Sequence, residues 1–171
     1  MKTSLLGLAL VLSALVPHVA MADELPLATF EGGIGVDPLA GVTSTGGSAL
    51  NVVRGVSPGG FPWRISHLRA EVRQEGRIRV EGRGLLLTGG NGIGTTGGQR
   101  VFATLFCGPP ADATAHSSSA AGVALEANGD FQIDDALAPA PPAACTNPVL
   151  LIVSAANGHW FAAAIPASDE R

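Results

Sequence analysis

Two glycine-rich stretches match the spacing of motifs with known chemistry, and both lack the surroundings that this chemistry requires. Residues 55–59 read GVSPG, the G-x-S-x-G pattern in which a nucleophilic serine lies on a sharp strand-to-helix turn. The next residue must donate its backbone N–H to an oxyanion hole, but Pro58 has no N–H. Residues 92–97 read GIGTTG, yet a β-patterned run follows them instead of the helix that would bind a pyrophosphate. We therefore predict a tight turn and a loop.

The other polar residues with suggestive spacing do not predict a metal or catalytic centre. Asn128, Asp130, Asp134 and Asp135 resemble a cation loop, but the glycine and the terminal glutamate of an EF-hand are missing. Three histidines fall within residues 23–171, and no two of them have metal-ligand spacing: His67, His116 and His159. Each is interpreted as a surface residue. We assign no catalytic residue, no metal and no cofactor.

Positive charge is concentrated in one part of the chain. Residues 54–100 hold eight arginines and three acidic residues, although the whole chain has a net charge of −4. Alternation places five of these arginines on one face of a predicted β-ribbon: Arg69, Arg73, Arg77, Arg79 and Arg83. Guanidinium groups bind phosphate, sulfate or carboxylate in a bidentate manner. This face is the candidate binding site, and a solvated face with ion pairs to Glu71 and Glu81 is the alternative.

The ribbon from His67 to Arg83 has the clearest pattern, because apolar and charged residues alternate along both of its strands. Opposite residues of an antiparallel pair share a face, so Val72 is predicted to lie opposite Ile78. A three-residue loop then joins the strands, with Gly76 in the left-handed conformation.

This register also predicts the charge pairs of the ribbon. Opposite charges meet at two positions: Glu71 with Arg79, and Arg69 with Glu81. Arg73 and Arg77 face each other with no carboxylate between them. Such a pair is destabilising unless it extends into water or binds an anion, which favours the binding interpretation. Nucleic acid is excluded as a partner, because the chain is acidic and no aromatic residues interleave with the arginines.

The remaining pattern is that of an all-β domain. With 23 Gly and 12 Pro, the chain is not expected to form long helices. Three stretches are predicted loops: 89–98, 108–121 and 138–148. Nine segments have strand character: 28–36, 49–56, 63–73, 77–88, 99–107, 122–127, 131–137, 149–154 and 159–165. We predict a single antiparallel β-sandwich over residues 23–171, immunoglobulin-like in architecture, with eight or nine strands.

Two Asn-Gly pairs predict further hairpins. Asn157-Gly158 joins residues 149–153 to 160–164, and both strands are apolar on both faces, so this hairpin is expected at the centre of a sheet. Asn128-Gly129 joins residues 123–125 to 131–133. A two-residue turn would place Leu125 opposite Gln132, so a bulge or a three-residue loop is expected there.

The N-terminus predicts export. Residues 1–22 have a lysine next to the initial methionine, followed by an apolar run that is too short to span a bilayer. They end in a small-x-small site. This pattern is typical of a signal peptide cleaved before Asp23. We expect an extracellular or periplasmic protein with no membrane span in the mature chain. In such a compartment Cys107 and Cys145 are expected to form a disulfide, which stabilises by about 4 kcal/mol in the chain-entropy model.

Several strings in residues 51–161 also resemble a group of small exported bacterial proteins of unassigned function. They are VRGVSPGGFPWRI at 53–65, GRGLLL at 82–87, FATLFCG at 102–108, GDFQI at 129–133, and Cys145 with PVLLI at 148–152. The resemblance implies a secreted β-rich domain with one disulfide, and it implies no functional residues.

These observations favour an exported, non-enzymatic module that binds an anionic envelope component or a partner protein through its arginine-rich ribbon face. Two alternatives belong to other classes. One is a passive structural or surface protein, with ion-paired faces and an open strand edge. The other is an extracellular hydrolase whose site is assembled only in space.

Overall fold

A computed structural model describes residues 26–168, so the predicted signal peptide at 1–22 and its cleavage site lie outside the described residues. The described chain contains thirteen strands and no helix, which confirms the all-β class. It therefore also contains no helix that is long and apolar enough to cross a membrane. The strands are β1 Ala28–Gly35, β2 Leu39–Val42, β3 Ser48–Leu50, β4 Trp63–Arg64, β5 His67–Val72, β6 Arg77–Arg83, β7 Leu86–Leu87, β8 Arg100–Cys107, β9 Thr114–Ser117, β10 Val123–Ala124, β11 Phe131–Ala136, β12 Val149–Ser154 and β13 Trp160–Pro166.

Nine of these strands form one sheet. Its seven longer strands follow the order β8-β12-β13-β1-β5-β6-β11, and every neighbouring pair is antiparallel. Two short strands share the remaining edge of β8: β9 pairs with residues 104–107 and β10 pairs with residues 100–101. The two ends of the sheet are therefore the free edge of β11 and the edge of β8 that carries β9 and β10.

The two ends of this sheet nearly meet. An isolated bridge joins Ser117 at the end of β9 to Ala138 just after β11. At the other end of the gap, the Glu126 N–H donates to the Asp130 carbonyl oxygen at 2.9 Å. The result is a nearly closed, barrel-like sheet, in contrast to the two facing sheets of the predicted sandwich, and the immunoglobulin-like arrangement is not confirmed.

The interior of the sheet is filled by alternate residues of its strands. Leu68, Gly82 and Phe131 lie in one cross-strand row on β5, β6 and β11, and all three side-chain positions are buried. A Cβ atom added to Gly82 would overlap the ring of Phe131. Glycine is therefore required at this position because the aromatic ring occupies the space above its backbone.

We expect the Gly82→Ala substitution to lower the free energy of unfolding by about 1–3 kcal/mol, because the added methyl group overpacks the interior. Gly60→Ala is the matched control, since nothing lies within 4 Å of a Cβ atom there and its φ is not in the left-handed region. Urea denaturation of both variants measures the difference. Equal stability of the two variants would show that the Phe131 ring can move away from the added methyl group without loss of stability.

The predicted ribbon register is confirmed along its whole length. Val72 lies opposite Ile78, and the two predicted charge-pair positions are also opposite each other. The Gly76 N–H donates to the Arg73 carbonyl oxygen at 2.9 Å, and Gly76 has a φ of +85°. The turn is therefore the three-residue loop that the alternation predicted.

The two Asn-Gly predictions have different outcomes. Asn157-Gly158 connects β12 to β13, and β12 lies between β8 and β13 with both faces buried, as predicted. The loop at Asn128-Gly129 has the expected three residues, because Glu126 and Asp130 are hydrogen-bonded across it. The predicted pairing of its strands is wrong, however, since β10 is hydrogen-bonded to β8 and not to β11.

An outer layer covers the second face of the central strands. Trp63 of β4 stacks on Phe161 of β13 with ring centroids 4.2 Å apart, and the Trp160 indole donates to the Asn51 carbonyl oxygen at 2.9 Å. The predicted disulfide is present: Cys107 of β8 is bonded to Cys145, and their Cα atoms are 4.9 Å apart. It attaches β8 to the proline-rich loop before β12.

Three local elements differ from the sequence predictions. The predicted loop at 108–121 contains β9, and β2 lies where no strand was predicted. The predicted strand at 49–56 is mostly irregular, because a tight turn at Arg54 and Gly55, both with positive φ, reverses the chain between Val53 and Val56.

Candidate functional site

The five predicted arginines lie on the outer face of β5, β6 and β11 or at the ribbon turn beside it. Register places two rows of side chains across this face, one running Glu71–Arg79–Asp134 and the other Arg69–Glu81–Gln132. We call this surface the charged face and define it by nine residues: Arg69, Glu71, Arg73, Arg77, Arg79, Glu81, Arg83, Gln132 and Asp134. Opposite charges lie side by side within both rows, whereas Arg77 and Arg79 are like charges at successive positions of β6 on this face.

The ion pairs on the charged face are not the ones that the register alone predicted. Glu71 lies opposite Arg79, but its carboxylate accepts a hydrogen bond from Arg73 at 3.0 Å. Glu81 lies opposite Arg69, but its carboxylate is bonded to Arg83. Each glutamate therefore binds the arginine two residues along its own strand, which lies on the same face.

Arg73 and Arg77 are not an unneutralised pair, which corrects the sequence interpretation. Arg73 has Glu71, and Arg77 donates to Asp134 of β11 at 2.7 Å. Asp134 also lies 3.3 Å from Arg79, so one carboxylate serves two arginines. Sequence reasoning missed this role, because it depends on the pairing of β11 with β6 across more than fifty residues of chain.

Arg69 differs from the other four arginines. Within residues 26–168, no carboxylate oxygen lies within 4.0 Å of its guanidinium nitrogens. Its register neighbours on the two sides are Glu31 of β1 and Glu81 of β6, and Glu81 is bonded to Arg83. Arg69 therefore has donors that no described carboxylate uses.

A groove separates the two rows of the charged face. Its volume is about 360 Å³, and it crosses β5, β6 and β11. The floor is formed at Ala70, Val80 and Ile133, whose side chains point into the interior. The walls combine two guanidinium groups, three carboxylates and an amide: Arg69, Arg79, Glu71, Glu81, Asp134 and Gln132.

The electrostatics of the charged face favour the charged form of Arg83. The hydrogen bond that Arg83 donates to Glu81, and then the negative charge of Glu81, raise the pKa of the Arg83 guanidinium above its ordinary value. Desolvation opposes these effects, and the charge of Asp130 adds to them. Exposed ion pairs of this kind contribute little to stability. They can therefore be exchanged for a ligand group at low cost.

The other sequence candidates have structural roles. The GVSPG stretch begins in the tight turn at Arg54 and Gly55 and continues as irregular chain, with Pro58 bridged to Trp160. The GIGTTG stretch is a loop, as predicted. Asp130 accepts a hydrogen bond from the Gly84 N–H at 3.0 Å, and Asp135 accepts one from the Ser119 N–H at 2.8 Å. Within residues 26–168, no group of three or more His, Cys, Asp or Glu residues is arranged to hold a metal ion.

The surface interpretation of His116 is wrong. His67 is exposed and His159 is half-buried, but His116 of β9 is only 4% exposed. Its Nδ1 lies 2.9 Å from the Pro139 carbonyl oxygen, which can only accept, so Nδ1 carries the hydrogen. Its Nε2 lies 3.0 Å from the Thr114 hydroxyl. The Nδ1 hydrogen bond therefore fixes β9 to the loop at Pro139, while the Nε2 contact lies within β9 itself. No local signal in the Ser-rich sequence indicated this burial.

We expect His116→Ala to lower the free energy of unfolding by about 1–3 kcal/mol, because it removes a buried side chain together with its hydrogen bond to the Pro139 carbonyl oxygen. His67→Ala, a change at an exposed histidine, should stay within about 0.5 kcal/mol of the wild type. Urea denaturation at neutral pH compares the two variants. If both substitutions are neutral, His116 does not hold the sheet closed.

The chain matches no protein-family model, no curated protein and no solved structure.

Proposed function

We propose that the protein is an exported, non-enzymatic module that binds an acidic polysaccharide of the cell envelope in the groove of the charged face. The observation that carries this proposal is Arg69, a guanidinium group at the groove with no described carboxylate within 4.0 Å. A carboxylate or sulfate group on the ligand would accept two parallel N–H···O hydrogen bonds from the Arg69 guanidinium.

The mixed lining of the groove supports this class of ligand. Besides its two arginines it contains Glu71, Glu81 and Asp134, so a polymer with dense negative charge alone would be repelled. Sugar hydroxyl groups are hydrogen-bond donors, and carboxylates accept from them. An acidic sugar offers both groups, with its acid for Arg69 and its hydroxyls for the carboxylates and Gln132.

The shape of the groove favours a polymer over a small molecule. The groove crosses three strands on an outer face of the sheet and is open to solvent along its length. A small ligand is usually enclosed over most of its surface in a concave site. An extended chain can instead cross the face and use the same contacts at several sugar units.

Export is supported by the disulfide. Cys107 and Cys145 are bonded, and within residues 26–168 no cysteine is free. Structural disulfides persist in oxidising compartments outside the cytosol. This agrees with the predicted signal peptide, and it supports an envelope ligand over a cytosolic one.

We expect Arg69→Gln to weaken binding of the purified protein to immobilised alginate, a polyuronate, by about tenfold or more, as loss of a charge-assisted hydrogen bond does. Binding should also fade as salt rises. The matched control is Arg64→Gln, which removes the same charge from an exposed residue on β4, outside the charged face. This variant should bind alginate as the wild type does.

Two further ligands test the class. Dextran, which is neutral, and polyphosphate, which has no sugar hydroxyls, should both bind more weakly than alginate. Stronger binding to polyphosphate than to alginate would contradict the role of the carboxylates. If Arg69→Gln and Arg64→Gln weakened binding equally, non-specific charge attraction would explain the binding.

A passive structural protein is the second candidate function, and one observation favours it. Four of the five arginines are already paired with carboxylates, so most of the charged face is neutralised without a ligand. This candidate requires that the wild type bind none of the three polymers at low salt, and the same experiment therefore separates the two functions.

A further inference from the structure

The hairpin of β2 and β3 stands apart from the main sheet. Its two strands pair only with each other among the described strands, so each has one edge without a strand partner. All four residues of β2 are exposed, and in β3 only Ala49 is half-buried. The hairpin thus contributes almost nothing to the core.

A bulge places the large apolar side chains of the hairpin on one face. Leu39 lies opposite Leu50 and Val42 lies opposite Ser48, with a register shift at the intervening Ala40. Because of this extra residue, Leu39, Val42 and Leu50 share a face that regular alternation would have divided. These three side chains are 49%, 75% and 59% exposed.

An open groove lies beside this apolar face. Its volume is about 450 Å³, and its second wall is the loop from Pro58 to Pro62. Phe61, in that loop, is 56% exposed, and Val52 at the base of the hairpin is 51% exposed. Leu39 and Leu50 line the groove directly, and Asp37 is its only charged lining residue.

The absence of charge indicates what covers this surface. Residues 38–53 contain no charged side chain, although the chain as a whole has a net charge of −4. Two copies of an acidic protein repel each other at most surfaces, and here they can approach without like-charge contacts. A different partner protein is usually selected by complementary charge, for which this surface provides only Asp37.

The size of the surface is close to that of an interface between two copies. Of residues 38–52 and 58–62, eighteen are exposed or half-buried, because only Pro58 and Gly59 are buried. Stable interfaces use about 20–30 residues on each side.

We propose that the β2–β3 hairpin and the adjoining loop bind the same surface of a second copy, giving a twofold-symmetric dimer. Each copy packs Leu39, Val42 and Leu50 against the groove of the other. This is an isologous contact, in which one patch meets itself and the assembly closes at two. The dimer does not involve the charged face and does not depend on the proposed polysaccharide binding.

Sedimentation velocity of the purified protein over the micromolar range tests the proposal. The wild type should show a monomer–dimer equilibrium that persists at high salt, because the contact is apolar. Val42→Lys and Leu50→Lys should each raise the dimer dissociation constant about tenfold or more, as loss of an interface hot spot does. Both side chains are exposed in the monomer, so the fold is retained, which circular dichroism verifies.

The control is Ile165→Lys, a change at another exposed apolar residue, whose side chain lies against Gly32 of β1. It should leave the dimer unchanged. A wild type that sediments as a monomer throughout would overturn the proposal, whatever other partner the hairpin has. A dimer that the hairpin substitutions leave intact, or that Ile165→Lys weakens equally, would place the interface elsewhere and overturn it too.

Discussion

The structure depends on closing a sheet whose two end strands, β8 and β11, are not hydrogen-bonded to each other. Two short strands, β9 and β10, occupy the gap by pairing with opposite halves of β8. Side chains complete the closure: the buried Ser118 hydroxyl accepts from the Ala103 N–H at 3.0 Å, and Asp135 of β11 accepts from Ser119. A cavity of only about 70 Å³ remains between the two sides. An exposed strand edge can pair with another chain and cause aggregation. Here the few residues of β9 and β10 cover the edge of β8.

The pairing of β11 with β6 determines the ion pairs of the charged face. β11 is held against β6 on one side and against the β9 segment on the other, and that position brings Asp134 to Arg77 and Arg79. Once Asp134 serves these two arginines, Glu71 and Glu81 are free to bind the arginines along their own strands. Of the five arginines, Arg69 then has no carboxylate partner among the described residues. Its lack of a carboxylate is thus a consequence of how three strands are arranged, and no single pair of residues explains it.

The sequence predicted what depends on neighbouring residues and missed what depends on distant ones. Alternation in the ribbon is local, so its register and the glycine of its turn were both correct. The partners of Glu71 and Glu81 could not be derived in this way, because alternation identifies a face but does not say which of several charges a side chain will reach. His116 was missed for a related reason. Its burial arises from the packing of β9 against the loop at Pro139, and a polar, serine-rich segment gives no local sign of such packing.

The charged face and the apolar β2–β3 hairpin are separate surfaces, and this separation has a physical consequence. The charged face holds five arginines and three carboxylates, and its exposed ion pairs can be exchanged by water and salt. Contacts made there are therefore adjustable and sensitive to ionic strength. The β2–β3 hairpin holds no charge at all, so contacts made there depend on removing apolar side chains from water and are insensitive to salt. A dimer formed through the hairpins would carry two charged faces. Attachment of both faces to one polymer strand would raise the overall affinity through effective concentration. Such a gain would make a weak, exchangeable site on each copy sufficient for attachment.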